Sequence, residues 1–302
     1  MEKQFTLKMF QERFQEEENC YAYLAALKWG KGYCCRKCGC KQAVRGKKEH
    51  WKRCQQCGYD ESPTAQTLFH QVKFNILDAF YICYRVIVDK KGVSSMELHR
   101  ETGIRQKTCW YFKRKIQQGM KSRGQNVLAG LVEADECVIG SAEENMQGRS
   151  SDSNKHKVLI AIEKVRNRKG KTTIGRAYAS KINGYSADDF LPFFQKHISP
   201  KAHIETDQWT GYSPLKEDFP RLVQKKSDTG KNFPEMHMHI MNIKGWLRGV
   251  HHHCSKKHIQ AYLDEYHFRF NRRQNREKIF TSLIQRMVLA IPLFITFREL
   301  CA

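Results

Sequence analysis

The sequence predicts a multidomain chain of mixed α+β and α/β class, and three observations carry that prediction. Two C-x2-C pairs, Cys35/Cys38 and Cys54/Cys57, flank fifteen residues, a spacing that suits a small metal-bound ribbon. A pair of short helical patterns broken by a glycine comes next over residues 91–120, the signature of a helix-turn-helix. Beyond residue 130, apolar runs come in the order strand, strand, strand, helix, strand, which predicts a mixed sheet flanked by helices. The resulting division is a helical segment over 1–32, a ribbon over 33–62, a helix-turn-helix region over 70–125, a sheet domain over 130–275 and a C-terminal helix over 276–302.

Charge narrows the partner. Lys and Arg number 53 against 31 Asp and Glu, a net charge of +22. Such an excess calls for a polyanion, either nucleic acid or an anionic membrane. No apolar run approaches the ~20 residues a membrane helix needs, and the opening MEKQFTLKMF has no signal-peptide core. The expectation is a cytoplasmic, nucleoid-associated protein with double-stranded DNA as partner and no membrane.

Each element has its own justification. Residues 1–30 set Phe10, Phe14, Tyr21, Leu24, Leu27 and Trp29 among Glu, Gln and Lys, a helical pattern that makes a small cap on the adjoining ribbon. Six of the twelve cysteines fall within 34–57, and clustering of that kind points to metal rather than disulfides in a reducing compartment. Four thiolates on two knuckles, with Gly39 and Gly58 supplying the turns, suit a structural Zn2+ whose positions are all filled by protein. Cys34 competes with Cys35 for one position; only Cys35 has the x2 spacing to Cys38. Arg45, Lys47, Lys48, Lys52 and Arg53 lie between the knuckles, either as a DNA contact or as ordinary charged surface.

Residues 74–88 read as a helix. Ser94 or Ser95 caps the next, which Thr102-Gly103 breaks, and a second helix starts near Arg105. In a helix-turn-helix the second helix places its first residues on base edges, here Arg105, Gln106 and Lys107. Lys113, Arg114 and Lys115 add to its charge and favour DNA binding over a plain helical hairpin.

Residues 131–140, LVEADECVIG, form a short buried strand closed by a glycine. Alternation puts Glu133 and Asp135 on one face and Glu136 on the other. A carboxylate in such a strand is costly unless something pairs with it. Polar residues 141–154 are long enough for a flap or binding loop. Strands come next at 156–165 and 171–181 around an NRKG turn, then a helix at 186–197 with Phe190, Leu191, Phe193 and Phe194 on its apolar side. A strand at 203–206 ends in Asp207. Crossing over that helix would lay the Asp207 strand beside the Asp135 strand, with both carboxylates at neighbouring ends. The last helical pattern carries Ile259, Tyr262, Leu263, Tyr266 and Phe270 on one face and Lys256, Lys257, Arg269, Arg272 and Arg273 elsewhere. The run His251–His253 invites a metal assignment, but adjacent His side chains rarely converge.

EADECVIG at 133–140, ETDQWTGY at 205–212 and HIMNIKGWLRGVHHHCSKKHIQAYLDEYHFRFNRR at 239–273 resemble zinc-ribbon insertion-sequence transposases of the DDE type. The ribbon and helix-turn-helix stand where that family has them, so the resemblance covers nearly the whole chain from about residue 20. It implies a ribonuclease H-like nuclease domain and DNA strand cleavage and transfer with Mg2+ or Mn2+, at terminal inverted repeats and target, by a homo-oligomer on DNA. Carried over by motif, Asp135 matches the first catalytic Asp and Asp207 the second. Where the family often has Glu, this chain has Asn242, 35 positions after Asp207, with Lys244 two residues on; some branches resemble it in this. An Asn oxygen can ligate Mg2+ but brings no charge, and Asp264 or Glu265 stands as the alternative third carboxylate. The resemblance assigns phosphate contact to Lys244, and the basic residues Arg272 and Arg273 are read as DNA contacts. A DNA-binding protein derived from a transposase, without nuclease activity, is the alternative function.

Overall fold

The computed structural model describes residues 5–140, 155–167, 169–228, 231–251 and 254–290. The chain divides into two compact units, residues 1–120 with 272–302, and residues 121–271. Among the described residues, no helix is long and apolar enough to cross a membrane.

In the first unit the N-terminal pattern forms two helices, α1 (Leu7–Arg13) and α2 (Glu17–Trp29). Phe10, Phe14 and Leu24 are buried. Next comes a three-stranded antiparallel ribbon, β1 (Ala43–Arg45), β2 (Lys52–Cys54) and β3 (Asp60–Glu61). Helix α3 (Ile76–Val88) is capped by the Asn75 side chain, so it starts two residues later than the apolar run at Phe74 suggests. Helices α4 (Ser95–Thr102) and α5 (Gln106–Met120) make the helix-turn-helix. Ser94 Oγ accepts the Glu97 N–H at 3.1 Å, an N-cap. Gly103 ends α4 in the left-handed region at φ +70°, and its N–H donates to His99 O at 2.9 Å.

The last described helix, α9 (Arg276–Leu289), belongs to this unit and packs against α2, α3 and α5. Phe280 meets Phe14, Phe80 and Phe5 at ring distances of 5.6, 6.0 and 5.2 Å, and Leu283, Ile284 and Met287 are buried. Close approach of α5 and α9 depends on Gly119, where an added Cβ would sit 2.8 Å from Met287 Cγ. A helix far away in sequence thus completes the core under the helix-turn-helix.

The second unit is a five-stranded mixed sheet in the order β6-β5-β4-β7-β8. Its strands are β4 (Leu131–Ile139), β5 (His156–Arg166), β6 (Thr172–Lys181), β7 (His203–Thr206) and β8 (Leu222–Gln224). β5 runs antiparallel to both neighbours, while β7 is parallel to β4 and to β8. The sequence pattern missed β8, whose three residues are too few to show a period. Helix α6 (Ala187–His197) and a 3-10 helix over Thr210–Lys216 cover one face. That face is built on Val132, Ala134, Ile204, Phe190, Phe194 and Tyr212. Helices α7 (Pro234–Val250) and α8 (Ile259–Phe270) cover the other, over Ile139, Ile160, Ile162, Ile240, Ile243 and Leu263. The expected loop over 141–154 lies outside the described residues.

Candidate active site and metal centres

The four cysteines meet as their spacing predicts. Cys35, Cys38, Cys54 and Cys57 bring one sulfur each to within 4.8 Å of the others, with Cys35–Cys57 and Cys38–Cys54 separations of 3.6 and 3.5 Å. Four Zn–S bonds of ~2.3 Å in a tetrahedron put sulfurs about 3.8 Å apart, so the donor set fits. Each knuckle closes the same way. Gly39 and Gly58, at φ +75° and +68°, send their N–H groups back to Cys35 O and Cys54 O at 2.8 and 3.1 Å. Burial works to raise the Cys35 thiol, but the backbone N–H groups of Cys38 and Lys37 outweigh it and hold it at about 6. At Cys38 the Cys40 N–H works downward, while burial and the neighbouring sulfurs push the thiol up to about 12. Without a cation the four cannot all ionise together. Cys34 Sγ turns to Gly39 O at 3.6 Å and takes no place in the cluster. Among the ribbon cations, Arg45, Lys47, Lys48 and Arg53 are exposed. Lys52 instead lies over the Trp29 ring at 5.5 Å.

Arg105, just before α5, and Gln106 and Lys107 at its start are exposed. Lys113, Arg114 and Lys115 correct the sequence reading, because all three are buried. Lys113 Nζ donates to Val93 O and Lys115 Nζ to His70 O, both at 2.7 Å, and the Arg114 guanidinium lies 4.9 Å from the Trp110 ring. Burial lowers the Lys115 ammonium to about 8. Three consecutive residues sweep about 200° of a helix, so a helix packed on several sides cannot present them all. Arg273 is exposed and Arg272 half-buried, after α8.

The second centre lies on the sheet. β7 pairs with β4 through Leu131↔His203, Val132↔Ile204 and Glu133↔Glu205. Two residues further along come Asp135, still within β4, and Asp207, one residue past the end of β7. The chain leaves the sheet at Asp207 in a tight turn, its Oδ1 accepting the Trp209 N–H at 3.0 Å. Gln224 on β8 holds that turn from the other side by donating to Trp209 O at 2.8 Å. Gly211 is needed there, since an added Cβ would come within 2.3 Å of Tyr185 O.

Asp135, Glu136 and Asp207 each bring a carboxylate oxygen to within 4.8 Å of the others. Such a pair of anions repels by about 1 kcal/mol in water-like surroundings and roughly 3–4 kcal/mol in partly shielded ones. The donors are hard oxygens, the set that Mg2+ or Mn2+ takes. Strand alternation predicts Glu136 on the face opposite Asp135, and it does start from the side of the α6 core. Because β7 pairs only as far as Glu133, the edge of β4 beyond that point admits side chains from both faces. The Tyr212 hydroxyl, fully buried, donates to Glu136 Oε2. Burial, then Glu136 and Asp135, push the Tyr212 phenol well above its ordinary range, so it stays protonated and is the donor.

Glu133, the other acid on β4, is committed elsewhere. It is buried and accepts from Lys164 Nζ at 2.6 Å, with Glu235 at 3.4 Å from the same ammonium. Burial works to lower Lys164, but Glu133 and then Glu235 outweigh it and hold the ammonium up. The trio pins the start of α7 to β4 and β5. Further along α7, Lys244 is half-buried and its charge acts on Cys137, whose thiol burial pushes up to about 12. Helix α7 packs on β4, and Asn242 on it is exposed. Asp264 and Glu265 take no part in the acidic cluster. Glu265 is buried in α8, 3.9 Å from Arg269, and burial raises Asp264 to about 6. His251 stacks on Tyr262 at 3.7 Å; His252 and His253 lie outside the described residues.

Residues 127–271 match the model of a family described as ISXO2-like transposase domain. The match covers just under half of the chain and takes in every strand of the five-stranded sheet together with α6, α7 and α8. No curated protein matches the chain.

Proposed function

We propose that the chain is a DDE-type transposase that cleaves DNA at the ends of an insertion sequence and joins the released 3′ ends to target DNA. The observation that carries this reading is the convergence of Asp135, midway along β4, and Asp207, just past the end of the parallel strand β7, inside the residues that match a transposase domain. The mixed sheet with helices on both faces is consistent with a ribonuclease H-like domain.

In this reading Asp135 and Asp207 hold the catalytic cations, Asn242 offers a neutral amide oxygen beside them and Lys244 contacts a phosphate. When bound, Mg2+ or Mn2+ would activate the attacking hydroxyl and stabilise the leaving oxygen. The ribbon cysteines hold one Zn2+ that does no chemistry. Arg105, Gln106 and Lys107 read bases, Arg272 and Arg273 contact phosphates, and the working form is a homo-oligomer on double-stranded DNA in the cytoplasm. The test is cleavage of a duplex carrying the element end with Mg2+ or Mn2+ present. One observation favours a binding-only descendant of a transposase, the uncharged Asn242 at the third position. Inactivity of the unaltered chain on its own element ends would decide for that descendant.

A further inference from the structure

We infer that Glu136 supplies the third anionic ligand of the acidic site, and that the Tyr212 hydroxyl is the positioning group that aims it. The inference rests on the proposed reading of Asp135 and Asp207 as cation ligands.

Three observations lead to it. Position 136 starts from the sheet face whose core is Val132, Ala134, Phe190, Phe194 and Tyr212, where an apolar residue would cost least. A carboxylate kept there violates the local pattern, and such violations concentrate at functional sites. The chain also gives it a dedicated partner, a fully buried phenol on the 3-10 helix directly after Asp207. A carboxylate has two oxygens and about four lone-pair sites, so accepting from Tyr212 does not preclude ligating a cation. Fixing a ligand's orientation from behind is what outer-shell partners of metal sites do. Finally, the position on α7 that would bring the third carboxylate is Asn242, which brings none. Glu136 restores that missing negative charge from the neighbour of Asp135 on the same strand. It can do so only because β4 outruns β7, so that side chains from both faces of β4 reach round its free edge.

The test is Mn2+ binding to the whole 302-residue chain in its zinc-loaded form, monitored by the paramagnetic resonance signal of free Mn2+ without DNA. Glu136→Gln keeps the size and can still accept from Tyr212. It should weaken Mn2+ binding at least about tenfold, in the range of Asp207→Asn and more than Asn242→Ala. Tyr212→Phe, which keeps the carboxylate but removes that hydrogen bond, should weaken binding about tenfold as outer-shell changes do. Mn2+ affinity of Glu136→Gln within twofold of the parent, while Asp135→Asn and Asp207→Asn lose binding, would overturn the inference and leave the active-site reading standing. A parent chain that binds no Mn2+ would overturn both. Should circular dichroism show Glu136→Gln unfolded, Tyr212→Phe decides alone, and unchanged affinity there overturns the inference.

Discussion

Asp135 and Asp207 each lie two residues beyond the last registered pair of β4 and β7 and bring their carboxylates together, a proximity that is costly unless a cation lies between them. Each Asp→Asn substitution is therefore expected to lower the cleavage rate by at least about a thousandfold, ~4 kcal/mol in the barrier, with DNA binding kept or tightened as a negative charge near phosphate disappears. Gel-shift and cleavage assays on the same preparations check both halves. Asn242 behaves otherwise: Asn242→Ala is expected to be clearly defective but orders of magnitude less than Asp135→Asn, and Asn242→Glu to retain activity. Glu265 is buried beside Arg269 and apart from the acidic cluster, so Glu265→Gln should change the melting temperature rather than the cleavage rate. A dead but stably folded Glu265→Gln would refute this placement.

Helix α5 carries two kinds of cation that the sequence shows as one. Lys107 is exposed near its start, where a second helix meets base edges. Lys107→Ala should reduce preference for the element end more than bulk DNA affinity; equal losses on specific and random duplex would make it a phosphate contact. Lys115 is buried with its ammonium on His70 O at 2.7 Å, so Lys115→Met should leave DNA affinity unchanged and cost about 1–3 kcal/mol of stability. Burial lowers His267 to about 4, while His239 Nε2 lies 3.2 Å from its Nε2. A folded value below the unfolded ~6.5 means full stability above that pH and progressive loss as pH falls toward 4. The loss from this one residue is about 2 kcal/mol at pH 5. Urea unfolding at pH 7 and pH 5 should show it, with a smaller difference in His267→Gln.

At the scale of the whole molecule, the +22 charge makes DNA affinity a function of salt through counterion release. Affinity should fall steeply and linearly in log–log form between about 50 and 200 mM salt, flattening only if few phosphates are contacted. The ribbon should hold about one zinc per chain. Cys38→Ser should release it and unfold the ribbon over about residues 33–61 while α1 and α2, packed on α3 and α9, stay folded, because metal and folding free energies are shared in such small modules. Zinc analysis of protein purified without chelator, with limited proteolysis of the variant, checks this.

What the sequence settled by itself was whatever depends on neighbours along the chain. The x2 spacing of the knuckles, Ser94 before α4, Gly103 after it and the apolar run of β4 are local signals, because capping, turn conformation and strand alternation act within a few residues. The adjacency of the Asp135 and Asp207 strands was legible too, since a helix crossover between strands constrains where the next strand lies. Tertiary structure alone decided the rest. It buried Lys113, Arg114 and Lys115, because a helix's solvent face is set by what packs against it and not by its charges. It drew α9 into the core beneath the helix-turn-helix through Gly119 and Met287, a contact between residues far apart in sequence. It committed Glu133 to Lys164 and turned Glu136 toward Asp135 and Asp207. Alternation assigns a side chain to a face, but the length of the neighbouring strand determines whether it can reach round the edge.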